Sequence, residues 1–373
     1  MKRFVFLCFL FVLVSSSTDK VCRNPEGQAV DWFTIFFMPS SASPDKKIYY
    51  GYYDPTLPDI KYYEYFENNF PPTYITRYVS ESGFSQNFNY FFWNDDKSLK
   101  EGIKIPCASS KAHAKGSLVY DEDDGAFLLH SLPRFPTRDS NNNIYNELPS
   151  NAGSFGQTFL CISVERQTAE KIAELLNCIN INVNKAVESD KVSQTPNPWV
   201  DGLIKNKMNS KCPIAHTIKI QSKGKETFTF YGKNYKNKII PFDTTLREAY
   251  QDNIYVRSWT RPAIAPPLFD TYYLVNVLDV RFGPFQYGLN NEHSKWAITE
   301  NKKVVCFSDL NHTESQRSRG GHIVCFRNNR LHTIMKKSIL TTDKLQINAA
   351  NSVQKSNQRK LVELLKSKLN NAE

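Results

Sequence analysis

The chain has 373 residues, 40% hydrophobic and 13% aromatic, enough to bury a sizeable core as one large domain or two intimately packed halves. Its formal net charge is +10, and +8 without Lys2 and Arg3, a surplus that suits a polyanionic partner and weighs against lipid head groups as substrate. The single long apolar run, 4–14, is too short to span a bilayer, which excludes a membrane-spanning protein.

Lys2, Arg3, the apolar run 4–14 and the small residues 15–17 read as a secretory signal peptide over 1–17, cleaved near Ser17. A soluble protein of the secretory pathway is therefore expected. The first half, 18–181, opens with strand-like runs at 31–38, 48–53 and 87–93. His113-Ala-Lys115 follows, then an apolar run 117–120, an acidic turn ending at Gly125 and a second apolar run 126–133. The glycine-containing segment FGQTFLC, 155–161, leads to a helix predicted over 168–179, with Thr168 as cap and Ile172, Leu175, Leu176 and Ile179 on one face. Residues 182–211 are polar and proline-punctuated, and read as the linker between halves or a long surface loop.

The second half, 212–330, carries strand-like runs at 227–231, 253–259 and 271–280. Between Lys205 and Lys238 nine lysines interleave with Phe228, Phe230, Tyr231 and Tyr235, as in a groove for a phosphate backbone, though such charge runs are more often solvated hairpin faces. His293-Ser-Lys295 then repeats the first triplet. The run 296–299, a polar turn 300–303 and VVCFSDLN, 304–311, copy the hairpin, and GGHIVC, 320–325, copies the strand that ends at a cysteine. The remainder, 331–373, is a basic polar tail whose segment 357–369 suits a small amphipathic helix through Leu361, Leu364, Leu365 and Leu369.

A lone His-x-Lys is more often a structural or surface pair than a site, but two in parallel contexts point to a diverged duplication. A strand turns residues i and i+2 the same way, so each triplet presents an imidazole and an ammonium group on one face. Two such strands meeting at a two-fold axis would converge on one phosphodiester. One neutral His can attack phosphorus, the other can protonate the leaving oxygen as imidazolium, and the lysines can hold the non-bridging oxygens. No metal or cofactor is needed. The lysines disfavour a second positive charge, so the imidazolium acid should be lost as pH rises and the rate profile should be bell-shaped and centred below neutrality.

Several separated motifs, in order from Cys22 to Cys325, resemble the deoxyribonuclease II family: Cys22 with VDWF, HAKG and HSLPRFP, FGQTFLC, EHSKW, SDLN and QRSRGGHIVC. The resemblance implies an α/β, phospholipase D-like fold, in which two pseudo-two-fold-related α/β halves with mixed β-sheets share one active site. It also implies an acid-active, metal-independent DNA endonuclease that works through a phosphohistidine and leaves 3′-phosphate ends. Carried over by position, His293 with Lys295 would supply the nucleophile, His113 with Lys115 the acid, and His130 an auxiliary residue. Where the wider phospholipase D pattern has an Asp five residues after the motif Lys, this chain has Tyr120 and Glu300, with Asp121 one place late, so no carboxylate partner is assigned. Ala297 stands where some relatives carry a cysteine, so the disulfide pattern here can differ.

Signal cleavage would remove Cys8 and leave seven cysteines for an oxidising compartment, extracellular or lysosomal. Cys306 with Cys325 closes a short loop across the second hairpin, and Cys22 with Cys161 ties the N-terminal strand to the first half, as the resemblance also suggests. Cys107, Cys178 and Cys212 stay unassigned. Asn311-His-Thr313 is a glycosylation sequon close to the second triplet, so a glycan there must point away from the cleft. Two alternatives remain open: a DNA-binding homologue without useful turnover, and a phospholipase D-type enzyme. A homodimer is among the expected partners, because dimers are common among relatives with this fold.

Overall fold

The computed structural model describes residues 20–80, 87–96, 107–141, 143–149, 151–189, 191–192, 197–259 and 271–343. The signal peptide and the helix expected at 357–369 lie outside the described residues.

Eight strands build the first sheet: β1 (Trp32–Met38), β2 (Tyr49–Tyr53), β3 (Lys61–Glu64), β4 (Asn89–Asn94), β5 (Lys115–Tyr120) and β6 (Asp124–His130), and, beyond a small pair β7 (Thr137–Arg138) and β8 (Ile144–Tyr145), β9 (Gln157–Glu165) and β10 (Val183–Val187). Their order is β10-β4-β5-β6-β9-β1-β2-β3, and every pairing is antiparallel. The second sheet holds β11 (Ala215–Gln221), β12 (Thr227–Lys233), β13 (Ile254–Arg257), β14 (Leu274–Phe282), β15 (Phe285–Gly288), β16 (Trp296–Thr299), β17 (Val304–Ser308) and β18 (Gly321–Arg327) in the order β11-β12-β18-β17-β16-β13-β14-β15, with β19 (Ile339–Thr342) also on β14. Only β13–β14 is parallel, so the mixed character expected of both sheets is confined to the second.

Both sheets are apolar on both faces at their centres, which is why β1, β4 and β5 read as continuous buried runs. Along β1 the period of two is visible: Trp32, Phe36 and Met38 enter the core between the sheets, while Phe33, Ile35 and Phe37 face an outer layer closed by α1 (Pro72–Ser80). Trp32 packs on Phe326 at 4.8 Å and Phe36 on Phe282 at 4.7 Å across the sheet interface, where each ring buries roughly 150–250 Å². Two helices join that central layer. They are α2 (Arg166–Cys178), directly after β9, and α5 (Asn329–Ser338), directly after β18. Between them in the chain, α3 (Pro198–Ile204) packs on α2, and α4 (Thr245–Tyr250) seals the outer face of the second sheet through Leu246.

Most predicted runs are strands within a residue or two. The helix expected at 168–179 begins earlier, at Arg166, because β9 runs straight into it, and the Arg166 N–H is met by the Asp123 carbonyl rather than by a Thr168 cap. Residues 182–211 are not an open linker. They contain β10, which pairs with β4, and α3, which Asn197 caps through the N–H groups of Trp199 and Val200. Likewise the region 331–373 begins with most of α5 and with β19 rather than with a tail. Three disulfides are present: Cys22–Cys161, Cys306–Cys325 and Cys178–Cys212, the last joining α2 to the segment before β11. Cys107 lies outside these bridges.

The two sheets share a path. In the first, β4-β5-β6-β9-β1 runs hairpin, strand, strand, and in the second β13-β16-β17-β18-β12 does the same. Cys161 and Cys325 both face the outer layers, each at the same step of its strand.

Candidate active site

Each triplet sits at the mouth of its hairpin rather than inside a strand: Lys115 is the first residue of β5, and His293 to Lys295 immediately precede β16. The backbones then cross-dock. The His113 N–H donates to the Gly320 carbonyl at 2.9 Å, and the His293 N–H donates to the Gly156 carbonyl, also at 2.9 Å. Each triplet is thus held by the glycine loop of the opposite sheet. A side chain would break this approach, since a Cβ on Gly320 would fall 2.1 Å from the Ile179 carbonyl and one on Gly156 would fall 2.7 Å from the Tyr287 ring.

In the first triplet, the His113 Nδ1–H donates to the Asp309 carbonyl at 2.7 Å, and its Nε2 stands 3.6 Å from Asp95 Oδ2. Lys115 Nζ donates to Asp95 Oδ1, and Arg319 Nη2 stands 3.4 Å from Oδ2. Asp95 directly follows β4, whose last residue, Asn94, pairs with Lys115, so the register itself brings carboxylate to ammonium. Burial raises the Asp95 carboxyl, but His113, Lys115 and Arg319 outweigh it and hold it well below the usual carboxylate range. Arg319 also donates to the Lys111 and Ala112 carbonyls, tying its loop to the first triplet.

In the second triplet, Lys295 Nζ donates to the His293 carbonyl at 2.7 Å. Burial, followed by repulsion from Lys115, pushes its ammonium down to about 7. The His293 ring lies parallel to Phe155 at 4.0 Å and to Trp259 at 5.0 Å, and its Nε2 has no hydrogen-bond partner among the described residues. Gln157 gives its carbonyl to the Ser131 hydroxyl at 2.6 Å and turns its amide nitrogen toward His293 Nδ1 at 3.5 Å. Behind the ring, Glu292 forms a fully buried ion pair with Arg257 and accepts the Ser294 N–H at 2.8 Å. Removing one member of such a pair typically costs about 3–5 kcal/mol, so the pair pins the loop.

Burial is the first cause that pushes both imidazoles down to about 3. In His113 the Asp95 carboxylate opposes this shift, whereas in His293 the lysines 295 and 115 add to it. Lys115 and Lys295 thus act on both histidines across the interface, and four of the five expected site residues converge.

The fifth, His130, also feels the charges of Lys115 and Lys295, but from within the apolar layer. His130, at the end of β6, is fully buried in a box of Phe135 and Phe159, and burial pushes its imidazole down to about 3. Tyr120 and Glu300 lie at the far ends of β5 and β16, roughly 16 Å along an extended strand from their lysines. Glu300 there accepts from Asn253 and Tyr255. Asp95 supplies the missing carboxylate, and the sequence motif held no signal for it because it comes from a neighbouring strand. Phe155 and Arg319 lay within FGQTFLC and QRSRGGHIVC, but nothing in those motifs assigned them a contact.

Among the described residues, no three His, Cys, Asp or Glu side chains converge as a metal-ligand set. The lysine-rich stretch is less of a groove than its composition suggested. Phe228 and Phe230 point into the core, Lys223 and Lys225 pair with Asp124 and Glu165, and Lys233 is buried against the carbonyls of Gln316, Arg317 and Arg319. The sequon is also packed in, with Thr313 buried and the Asn311 side-chain oxygen enclosed.

The deoxyribonuclease II family model matches residues 21–345. Plancitoxin-1 of Acanthaster planci is 27% identical over 342 residues, covering 88% of this chain and 93% of the relative. Cell-death-related nuclease 7 of Caenorhabditis elegans is 25% identical over 353 residues, covering 91% and 92% respectively. Deoxyribonuclease-2-alpha of Mus musculus is 27% identical over 317 residues, covering 82% and 87%.

Proposed function

This chain belongs to the deoxyribonuclease II family, and from that premise we propose that it is an acid endodeoxyribonuclease acting at the paired His-x-Lys site. The observation that supports the reading best is the reciprocal docking of the two triplets, each held by the glycine loop of the opposite sheet, with Lys115 and Lys295 both acting on both imidazoles.

In this mechanism His293 Nε2 attacks phosphorus, a P–N bond forms and the bond to the 5′-oxygen breaks. The departing oxygen takes its proton from the His113 imidazolium. Water, deprotonated by the now neutral His113, then attacks phosphorus; the P–N bond breaks and a 3′-phosphate is left. Lys115 and Lys295 stabilise the non-bridging oxygens in a site shielded from water, where such donors count most. The assignment of roles follows the surroundings: Asp95 beside His113 favours its cationic form, whereas the charges that act on His293 are those of Lys295 and Lys115, and its Nε2 has no hydrogen-bond partner among the described residues. Attack through Nε2 needs the proton on Nδ1, which a half-turn of the Gln157 amide would accept.

Acid activity has a direct source. An acid held near 3 in the free protein is charged only at low pH, and a bound phosphodiester raises it toward the working range. The phospholipase D-like arrangement of two halves, 18–181 and 212–330, is supported by the matched strand paths, and a secreted or lysosomal destination by the three disulfides.

Plasmid digestion at pH 5 in EDTA, by the wild-type protein and by His293→Ala, tests the reading. Cleavage by the first and none by the second is expected. Intact plasmid from both, with DNA still bound, would overturn it in favour of a binding protein.

A further inference from the structure

His293 is the middle ring of a three-ring stack. Phe155 lies 4.0 Å away at an interplanar angle of 5°, and Trp259 lies 5.0 Å away at 10°. Two parallel rings at those distances collide if they share a face, so they occupy opposite faces of the imidazole. The inner end is built into the floor of the cleft, because Phe155 precedes the Gly156 whose carbonyl takes the His293 N–H. Among the described residues no other ring covers the outer end. Trp259 is 43% exposed, a value that corresponds to one uncovered face of the indole. Its backbone approach is nonetheless anchored: Arg257 is fully buried on β13, and Ser258 Oγ accepts the His312 N–H at 3.0 Å.

A large flat ring that shows one face to solvent beside a phosphodiester site has a natural occupant in a nucleobase. Every base has a π face, and aromatic platforms bind bases with little regard to sequence. A base within a duplex has both faces covered by its neighbours and must leave the stack to reach such a platform. Resting on the nuclease reading, we propose that the outer face of Trp259 is a nucleobase-stacking subsite next to the scissile phosphate, taken by a base that swings out of its own stack. The stack also fixes the plane of the imidazole.

The experiment is a double-perturbation cycle at pH 5 in EDTA. Wild type, Trp259→Ala and Trp259→Phe are assayed on single-stranded oligonucleotides, intact or with one abasic site placed in turn at each position around a defined cleavage site. Trp259→Ala should lower kcat/KM on the intact strand roughly 5- to 100-fold, with KM carrying the larger part, and Phe should restore most of it. One abasic position should cost the wild type a similar factor and cost Trp259→Ala nothing more. Losses that multiply at every position would overturn the proposal, as would a fall in kcat alone, equal on single- and double-stranded DNA. If the wild type cleaves no DNA, the nuclease reading falls, and the same cycle read as oligonucleotide affinity by anisotropy still decides the subsite. Circular dichroism of both variants confirms folding.

Discussion

Replacing Asp95 by Asn keeps a side chain of the same shape and removes one negative charge 3.6 Å from His113 Nε2. A unit pair near that distance is worth roughly 4 kcal/mol at an effective dielectric of about 20. The opposing charges of Lys115 and Arg319 and partial solvent exposure screen the carboxylate, so we assign His113 roughly 2–3 kcal/mol, or about two pH units. The His113 imidazole is already held near 3, with Asp95 opposing that shift; without the carboxylate it falls further. The imidazolium acid is then harder to form, and the pH optimum should move down by about two units, with activity at pH 5 falling roughly 100-fold. The Asp95 carboxyl is depressed, so wild-type Asp95 is ionised throughout the assay, and its stabilising effect disappears only as pH falls below the ordinary carboxylate range. The assay is kcat/KM on a labelled oligonucleotide from pH 3.5 to 7 in EDTA, with circular dichroism to verify folding, because Lys115 loses its buried partner. Asp95→Glu, which keeps the charge, serves as the second variant and should hold the optimum near that of the wild type. An optimum in folded Asp95→Asn that stays in place or moves up would refute the assignment of His113 as the acid tuned by Asp95.

Three further outcomes follow from Lys295 and His130. Lys295, pushed down to about 7, is charged below that pH and neutral above it, so DNA affinity of His293→Ala should drop as pH rises through about 7. That step should vanish in His293→Ala/Lys295→Met, and superimposable titrations of the two would reject it. On the wild-type background Lys295→Met should lower kcat roughly 100- to 1000-fold. His130 is buried neutral, its imidazole pushed down to about 3, whereas the unfolded chain protonates it near 6.5. Its contribution to stability is complete above about 6.5 and is lost as pH falls toward 3, by roughly 3 kcal/mol at pH 4. His130→Phe, which fits the Phe135–Phe159 box, should therefore lose several degrees less of its Tm between pH 7.5 and pH 4 than the wild type does, and parallel Tm curves would sink the reasoning.

The parts of the site that were legible in the sequence are those with a local signal. His113, Lys115, His293 and Lys295 stood out because their triplets recur before matched hairpins, and those hairpins form as β5–β6 and β16–β17. The Cys306–Cys325 bridge was legible because both cysteines lie close in sequence, on the paired strands β17 and β18. By contrast β10 was missed, because an edge strand half-exposed along its whole length has neither a buried run nor an alternation to betray it. Cys178–Cys212 was left unassigned with it, as the stretch 182–211 between the two cysteines read as a linker or loop. The aromatics of the lysine-rich stretch were misleading: Phe228 and Phe230 alternate with polar residues as any half-buried strand does, and that pattern is the same whether the aromatic face meets DNA or a core.

Sequence order by itself determined the strand runs, the two triplets, the glycines that let each triplet approach the opposite sheet, and the family to which the motifs belong. Those features depend on residue type and short spacing, which the chain encodes directly. Only the tertiary structure decided that Lys115 and Arg319 meet Asp95, that the Asp309 carbonyl orients His113, that His130 is buried between Phe135 and Phe159, and that Phe155 and Trp259 clamp His293. These pairings bring together residues from separate strands and loops of two sheets, and Coulomb and stacking energies depend on distances in space that separation along the chain does not contain.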